Sequence, residues 1–279
     1  MGMRRSRVRR AMGLLAVAMG PIGAQSVTLQ VKPHVGDTLR MRLDQQSEMT
    51  GVRRTAAGES SAMVMNSMRM FSRAIVESSA DKGTTLVAVT DSVILSTSDD
   101  HARAAALAAE RQMRGQRVRF RVLPDGTVAM SQTGDGVSRD VAQVVSLMPA
   151  AFPKSAVNVG ESWIREMALP TGAQLGAQLS GKLRVTFRLD SLTHGGDWAF
   201  VSMRGEMLPA TGPGAASDAV LEKGLVNGTM LMDQKRGWLT ESWFSIFVSS
   251  VMTPPAASGI LSMHMQMRIN QHMRTTEKR

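Results

Sequence analysis

Four stretches of this chain alternate apolar and charged or polar residues with period two, and that alternation constrains the fold more than any other feature of the sequence. Leu39, Met41 and Leu43 alternate with Arg40, Arg42 and Asp44, and Val118, Phe120 and Val122 alternate with Arg117, Arg119 and Arg121. Leu183, Val185, Phe187 and Leu189 alternate with Lys182, Arg184, Arg188 and Asp190; Met263, Met265, Met267 and Ile269 alternate with His264, Gln266, Arg268 and Asn270. Successive side chains of an extended strand point to opposite faces, so each stretch makes a strand with one apolar and one wet face. Sheets covered on both faces, as in parallel α/β folds, read instead as continuous apolar runs. The pattern therefore predicts antiparallel sheet and disfavours Rossmann-like folds. It also predicts that the odd residues of 39–43, 183–189 and 263–269 and the even residues of 118–122 face the interior.

Turn residues organise these strands. Pro124-Asp125-Gly126 leads into Val128 and Met130, and His194-Gly195-Gly196-Asp197 leads into Trp198–Met203; both read as hairpins. Val35-Gly36-Asp37 and Val159-Gly160-Glu161 each open a strand, and each strand is followed by a hairpin, at Asp81-Lys82-Gly83 and at Gly195-Gly196-Asp197 respectively. Further hairpins follow at Gly126 and Gly237. This recurrence suggests two related halves. Helix signals are few: Asp99–Met113 is rich in alanine, and a helix over 138–149 carries Val141, Val144, Val145 and Met148 at helical spacing. The expected fold is mainly β with a few helices, a curved antiparallel sheet or partly open barrel. Its expected organisation is a first half over 25–137, a linking helix over 138–149 and a second half over 150–279.

The N-terminus reads as a secretory signal peptide over residues 1–24. Arg4, Arg5, Arg7, Arg9 and Arg10 precede an apolar stretch from Ala11 to about Gly23, which is too short to cross a ~30 Å hydrocarbon core as a helix. Ile22-Gly23-Ala24 supplies the small residues that a signal peptidase requires, so the mature chain is expected to begin at Gln25 in the periplasm or the medium. Arg9-Arg10 also fits a twin-arginine signal loosely, so the export route is open. There is no cysteine, hence no disulfide, no lipidated thiol and no thiolate metal site. Without the leader, 28 basic residues face 23 acidic ones. With that modest excess, an export signal and no aromatic–basic face, nucleic acid is not an expected partner.

Several short motifs resemble an uncharacterised family of exported bacterial proteins known only as a domain of unknown function. They are Val35-Gly36-Asp37, Leu123-Pro124-Asp125-Gly126, Phe152-Pro153, Val159-Gly160-Glu161-Ser162-Trp163 and Gly237-Trp238-Leu239. The resemblance implies an extracytoplasmic β fold of two halves and transfers no catalytic residue; the lipoprotein cysteine that many members carry has no counterpart here.

Catalytic signatures are missing from the sequence: there is no Gly-x-Ser-x-Gly, no His-Glu-x-x-His, and no phosphate- or dinucleotide-binding glycine pattern. No catalytic residue, metal site or cofactor is assigned. Methionine beside His264 and His272 has the chemistry of a copper(I) ligand set, but His264 points away from its odd-numbered methionine neighbours on a regular strand, so methionine is read as core filler. The run Trp243-Phe244-Ser245-Ile246-Phe247 is expected in a buried central strand. Twenty-three methionines against seven phenylalanines make the apolar face adaptable. A face lined by Leu39, Met41, Phe120, Phe187, Met263, Met265 and Met267 either closes as ordinary core or leaves a groove for a lipid-like chain. The functional expectation is a non-enzymatic envelope protein binding an apolar ligand or an envelope partner. Its alternatives are a hydrolase with a non-local site and a ligand-free scaffold.

Overall fold

The computed structural model describes residues 26–130, 151–168, 181–209, 219–254 and 258–276. Eleven strands form one antiparallel sheet in which nearly every strand pairs with its sequence neighbours. One side runs β2 (Thr38–Thr55), β3 (Gly58–Ala80), β4 (Gly83–Thr97), β5 (Arg117–Val122) and β6 (Val128–Met130). The other runs β8 (Ser162–Ala168), β9 (Gly181–Thr193), β10 (Trp198–Pro209), β11 (Ala219–Asp233), β12 (Trp238–Met252) and β13 (Ile260–Thr276). The two sides join where β13 pairs with β2 along almost their whole length, from Ile260↔Thr55 to Thr276↔Arg40. The sheet is strongly curved and open, with β6 and β8 as its edges. The helix expected over 138–149, the leader and the tail after 276 lie outside the described residues.

The predicted strand phases hold. Burial alternates residue by residue along β5, and Leu183, Val185, Phe187 and Leu189 of β9 are buried while Arg184 and Arg188 are exposed. On β13, Met267 and Ile269 are buried; Met263 and Met265 are half-buried, and His264 is exposed. Methionine fills core at Met230 and Met232, as the core-filler reading expects, whereas Met63 and Met65 are exposed and do not. The run at 243–247 does lie in a central strand, between β11 and β13. Its alternation splits it, however: Phe244 and Ile246 are buried whereas Trp243, on the convex face, is 42% exposed.

Because the strands alternate in direction, every glycine turn singled out in the sequence falls at the same end of the sheet: Gly36, Gly83, Gly126, Gly160, Gly195 and Gly237. The N-terminal segment crosses this end as a strap. The Val31 N–H donates to Pro124 O at 2.9 Å, Lys32 N–H to Gly237 O at 2.8 Å, and Gly36 N–H to Val76 O at 2.9 Å. Its first residues form β1 (Ser26–Val27), paired with β7 (Val157–Asn158), and Leu29 and Val31 are buried beneath it. Gly237 has φ +59°, and a Cβ there would fall 2.3 Å from Lys32 O, so only glycine permits the strap to lie this close.

The helix predicted over 99–113 forms as a 3-10 turn, Asp100–Ala102, and α1, Arg103–Met113; the Asp99 carboxylate caps the start by accepting from His101 N–H. β5 pairs with β4 only between Thr84 and Val89, which leaves the rest of that edge bare of strand. α1 lies along it, and Glu110 Oε1 accepts the Leu95 N–H at 2.6 Å. An open edge amide is thereby satisfied and shielded from other chains.

Candidate functional site

Four of the seven residues proposed for the apolar face, Leu39, Phe120, Phe187 and Met267, belong to one continuous buried cluster, and Met41 packs against it. Met263 and Met265 are not part of that cluster. They lie on the same face but toward the end away from the strap, where Met265 pairs with Gly51 and Ser250. The inner wall is anchored by Phe187 stacked on Trp163 of β8, centroids 5.8 Å apart and planes 14° from parallel.

The concave face is mostly filled. At the strapped end it retains a cavity of about 40 Å³, roofed by Val31 and Phe152 and walled by Met203, Met230, Phe244 and Met273. Three polar side chains, Trp238, Ser242 and Gln271, complete the wall, and no described residue lining it is charged. Ser242 lies opposite Met273, and Phe244 opposite Gln271, so these four form one patch across β12 and β13. Trp238 is 3% exposed and Gln271 7%. Among the described residues, Trp238 Nε1 and Gln271 Oε1 have no hydrogen-bond partner. Gln271 also sits opposite Gln45 of β2, another buried polar side chain on the inner face.

The sequence reading missed this cavity. The available signal was the inward phase itself: continuing the odd positions of β2 and β13 past their apolar runs reaches Gln45, Ser47 and Gln271, polar residues at core positions. The strap residues carried no such signal.

Among the described residues, the two edges of the sheet approach each other at the strapped end without pairing as strands. Asp125, in the turn between β5 and β6, meets Arg165 of β8 at 3.1 Å, and both side chains are largely buried. Arg165 also donates to Phe152 O, Trp163 Nε1 donates to Ala151 O at 2.7 Å, and Phe152 N–H donates to Asp125 O at 3.0 Å. Burial pushes the Asp125 carboxyl up, but the hydrogen bonds from Thr127 and the Arg165 guanidinium outweigh it and hold the group below the usual carboxylate range. This is a side-chain latch across an open seam.

The convex face carries charge. Asp44 is bound by Arg42 at 2.6 Å and Arg69 at 2.8 Å, and Glu241 by His272 at 2.7 Å and Arg274 at 3.2 Å. The hydrogen bond from Arg42 is the main reason the Asp44 carboxyl lies below its ordinary value. Among the described residues, no three His, Asp or Glu side chains converge so as to hold a metal ion. No described helix is long and apolar enough to cross a membrane.

The fold is thus a large, curved, open antiparallel sheet packed around an apolar concave face. No protein-family model matches the chain, and no curated protein sequence does so either. Among solved structures the chain is similar to a lipovitellin, described in a study of lipid–protein interactions, with a TM-score of 0.52 and 11% identity over 88% of this chain and 25% of that one. It therefore spans about a quarter of the length of that relative, and the likeness is one of fold. Two bacterial structures also align. An outer membrane channel from Pseudomonas putida F1 is 11% identical over 92% of this chain and 99% of its own, with a TM-score of 0.22. A DUF1329 family protein from Desulfovibrio piger is 10% identical over 83% and 85%, with a TM-score of 0.15.

Proposed function

We propose that this is an exported, non-enzymatic envelope protein that binds a lipid-like molecule on the concave face of its sheet. One observation carries the reading: among the described residues, the seam between the sheet's edges is held by Arg165, Asp125 and Phe152 instead of by a strand ladder. A few polar contacts separate far more readily than a continuous ladder, so the apolar interior is accessible through the seam. The interior wall includes Met203, Met230, Met267 and Met273, whose unbranched side chains repack around varied shapes. Burial of ten methylenes contributes about 8 kcal/mol, the scale of micromolar affinity before the cost of opening the seam and immobilising the chain. The basic leader and the Ile22-Gly23-Ala24 site support export, to a compartment where apolar cargo needs carriers.

The hydrolase reading has less support, since the described cavity offers Ser242 without a histidine or carboxylate beside it. The small size of that cavity favours a second reading, a scaffold whose core is simply full. A fluorescent fatty-acid probe separates the two. Saturable binding that strengthens with chain length, hardly changes with salt, and weakens at least tenfold in Met265→Lys but not in His264→Lys is the expected result. Absence of saturable binding to folded protein leaves the scaffold. Export is tested separately by N-terminal sequencing of protein recovered outside the cytoplasm, with Gln25 expected as the first residue.

A further inference from the structure

Charge on the convex face is unevenly spread. Near the strapped end, Arg40 and Arg42 on β2, Arg69 and Arg73 on β3, and Arg117, Arg119 and Arg121 on β5 share one patch with Asp44, Glu77 and Asp91. Among the described residues that sets seven guanidiniums against three carboxylates, an excess of four positive charges. The opposite flank is nearly balanced: Lys182, Arg184, Arg188, Arg204 and Lys223 are matched by Glu166, Asp190, Glu206 and Glu222. Within the basic patch Arg40 lies directly opposite Arg73, and at its border Arg42 lies opposite Arg274. Like charges in register across two strands destabilise a sheet, and an anion bound from outside relieves that repulsion.

Apolar side chains stand among these arginines. Phe71, Ile75 and Ile94 are between 38% and 53% exposed on the same face. Phe71 is opposite Arg42, whose guanidinium lies 5.7 Å from the ring centroid, and Ile94 is opposite Arg69. We propose that this patch docks the protein on an anionic lipid bilayer, its arginines on headgroup phosphates and its apolar side chains at the level of the upper acyl groups. A guanidinium grips a phosphate through two parallel hydrogen bonds, whereas an exposed isoleucine gains only from meeting hydrocarbon. An anionic bilayer offers both partners; a nucleic acid backbone offers the first alone. β5 pairs with β6, the strand that borders the seam, so a bilayer on this patch stands beside the proposed lipid entrance. Docking thus names the surface from which a lipid is taken up, and it rests on the lipid-binding reading for that role alone.

The test is co-sedimentation of the full chain with vesicles of phosphatidylcholine alone, or of phosphatidylcholine and phosphatidylglycerol in equal parts. Binding is expected to the anionic vesicles only, and to weaken as salt is raised. Each arginine near a charged membrane contributes about fivefold, so Arg40→Glu and Arg117→Glu, which change the charge by two, should each weaken binding about 30-fold. Arg204→Glu makes the same change on the balanced flank and should leave binding unaltered. Ile94→Gln should weaken binding by about tenfold without altering its salt dependence. Equal binding to both kinds of vesicle, or none to the anionic kind, overturns the docking surface; this wild-type comparison decides even if a variant fails to fold. An equal loss in Arg204→Glu and Arg40→Glu overturns it too, because net charge alone then suffices. So does binding of a DNA duplex as tightly as anionic vesicles and unaffected by Ile94→Gln, which is the behaviour of a general polyanion site. The fatty-acid probe keeps the two readings apart: a protein that binds the probe but no vesicle lacks the docking surface, and one that binds anionic vesicles but no probe is not a carrier.

Discussion

Gly237 holds the strapped end together by having no side chain. Alanine there would keep a left-handed backbone at a cost of about 1–2 kcal/mol and would also drive its Cβ into the Lys32 carbonyl. Gly237→Ala should therefore lower stability by at least that amount and accelerate hydrogen exchange at the Val31 and Lys32 amides before the rest of the sheet. Core positions behave differently. Phe187→Ala removes a fully buried ring stacked on Trp163 and should cost about 3–5 kcal/mol in denaturant unfolding. Arg119→Ala removes only an exposed pair with Glu77 and should cost less than about 1 kcal/mol. Equal costs would contradict the strand phase. That phase was readable at Phe187 because its neighbours Thr186 and Arg188 are polar, and a one-residue slip would put arginine in the core. The requirement at Gly237 was only half readable: its turn was evident from sequence, but the strap that presses on it comes from two hundred residues away.

At the scale of elements, α1 and the latch do related work on sheet edges. Glu110→Ala leaves the Leu95 amide without its acceptor and uncovers β4, so it should both destabilise the protein by about 1–3 kcal/mol and promote self-association in light scattering. The latch responds to acid. The Asp125 carboxyl lies below its unfolded value, so its stabilising contribution is fully present above the unfolded pKa, near about 4, and disappears as the pH falls through the lower folded value. Exchange of the Phe152 amide should accordingly speed up as the pH falls below about 4 relative to Asp125→Asn, in which this dependence is absent. Alternation and alanine content placed α1, β5, β9 and parts of β2 and β13, but gave no bounds for β3, β4 or β11. They did not reveal what α1 covers or that Arg165 reaches Asp125, because such contacts depend on how far the sheet curls. Curvature is a sum of many small strand twists that no single residue announces.

For the molecule as a whole, the informative feature is the order of strands. Read along the sheet from β8 to β13 and then from β2 to β6, it is a plain meander whose natural chain begins in the middle. Long-range pairing of this kind slows folding because the loop must close before its contacts form. A circular permutant beginning at residue 151, ending at 130 and joining the present termini through a flexible linker makes the β13–β2 pair local. It should reach the same sheet with the same tryptophan fluorescence but refold faster by stopped-flow. Single-step unfolding is expected for both forms, since one core cluster spans all the long strands. The same strand order decides what the protein can tolerate losing. As a nascent polypeptide leaves the ribosome, β2 keeps a bare margin until residues 260–276 arrive, more than two hundred residues later. A premature stop after residue 259 deletes a central strand and leaves two half-sheets with sticky flanks for proteases to find.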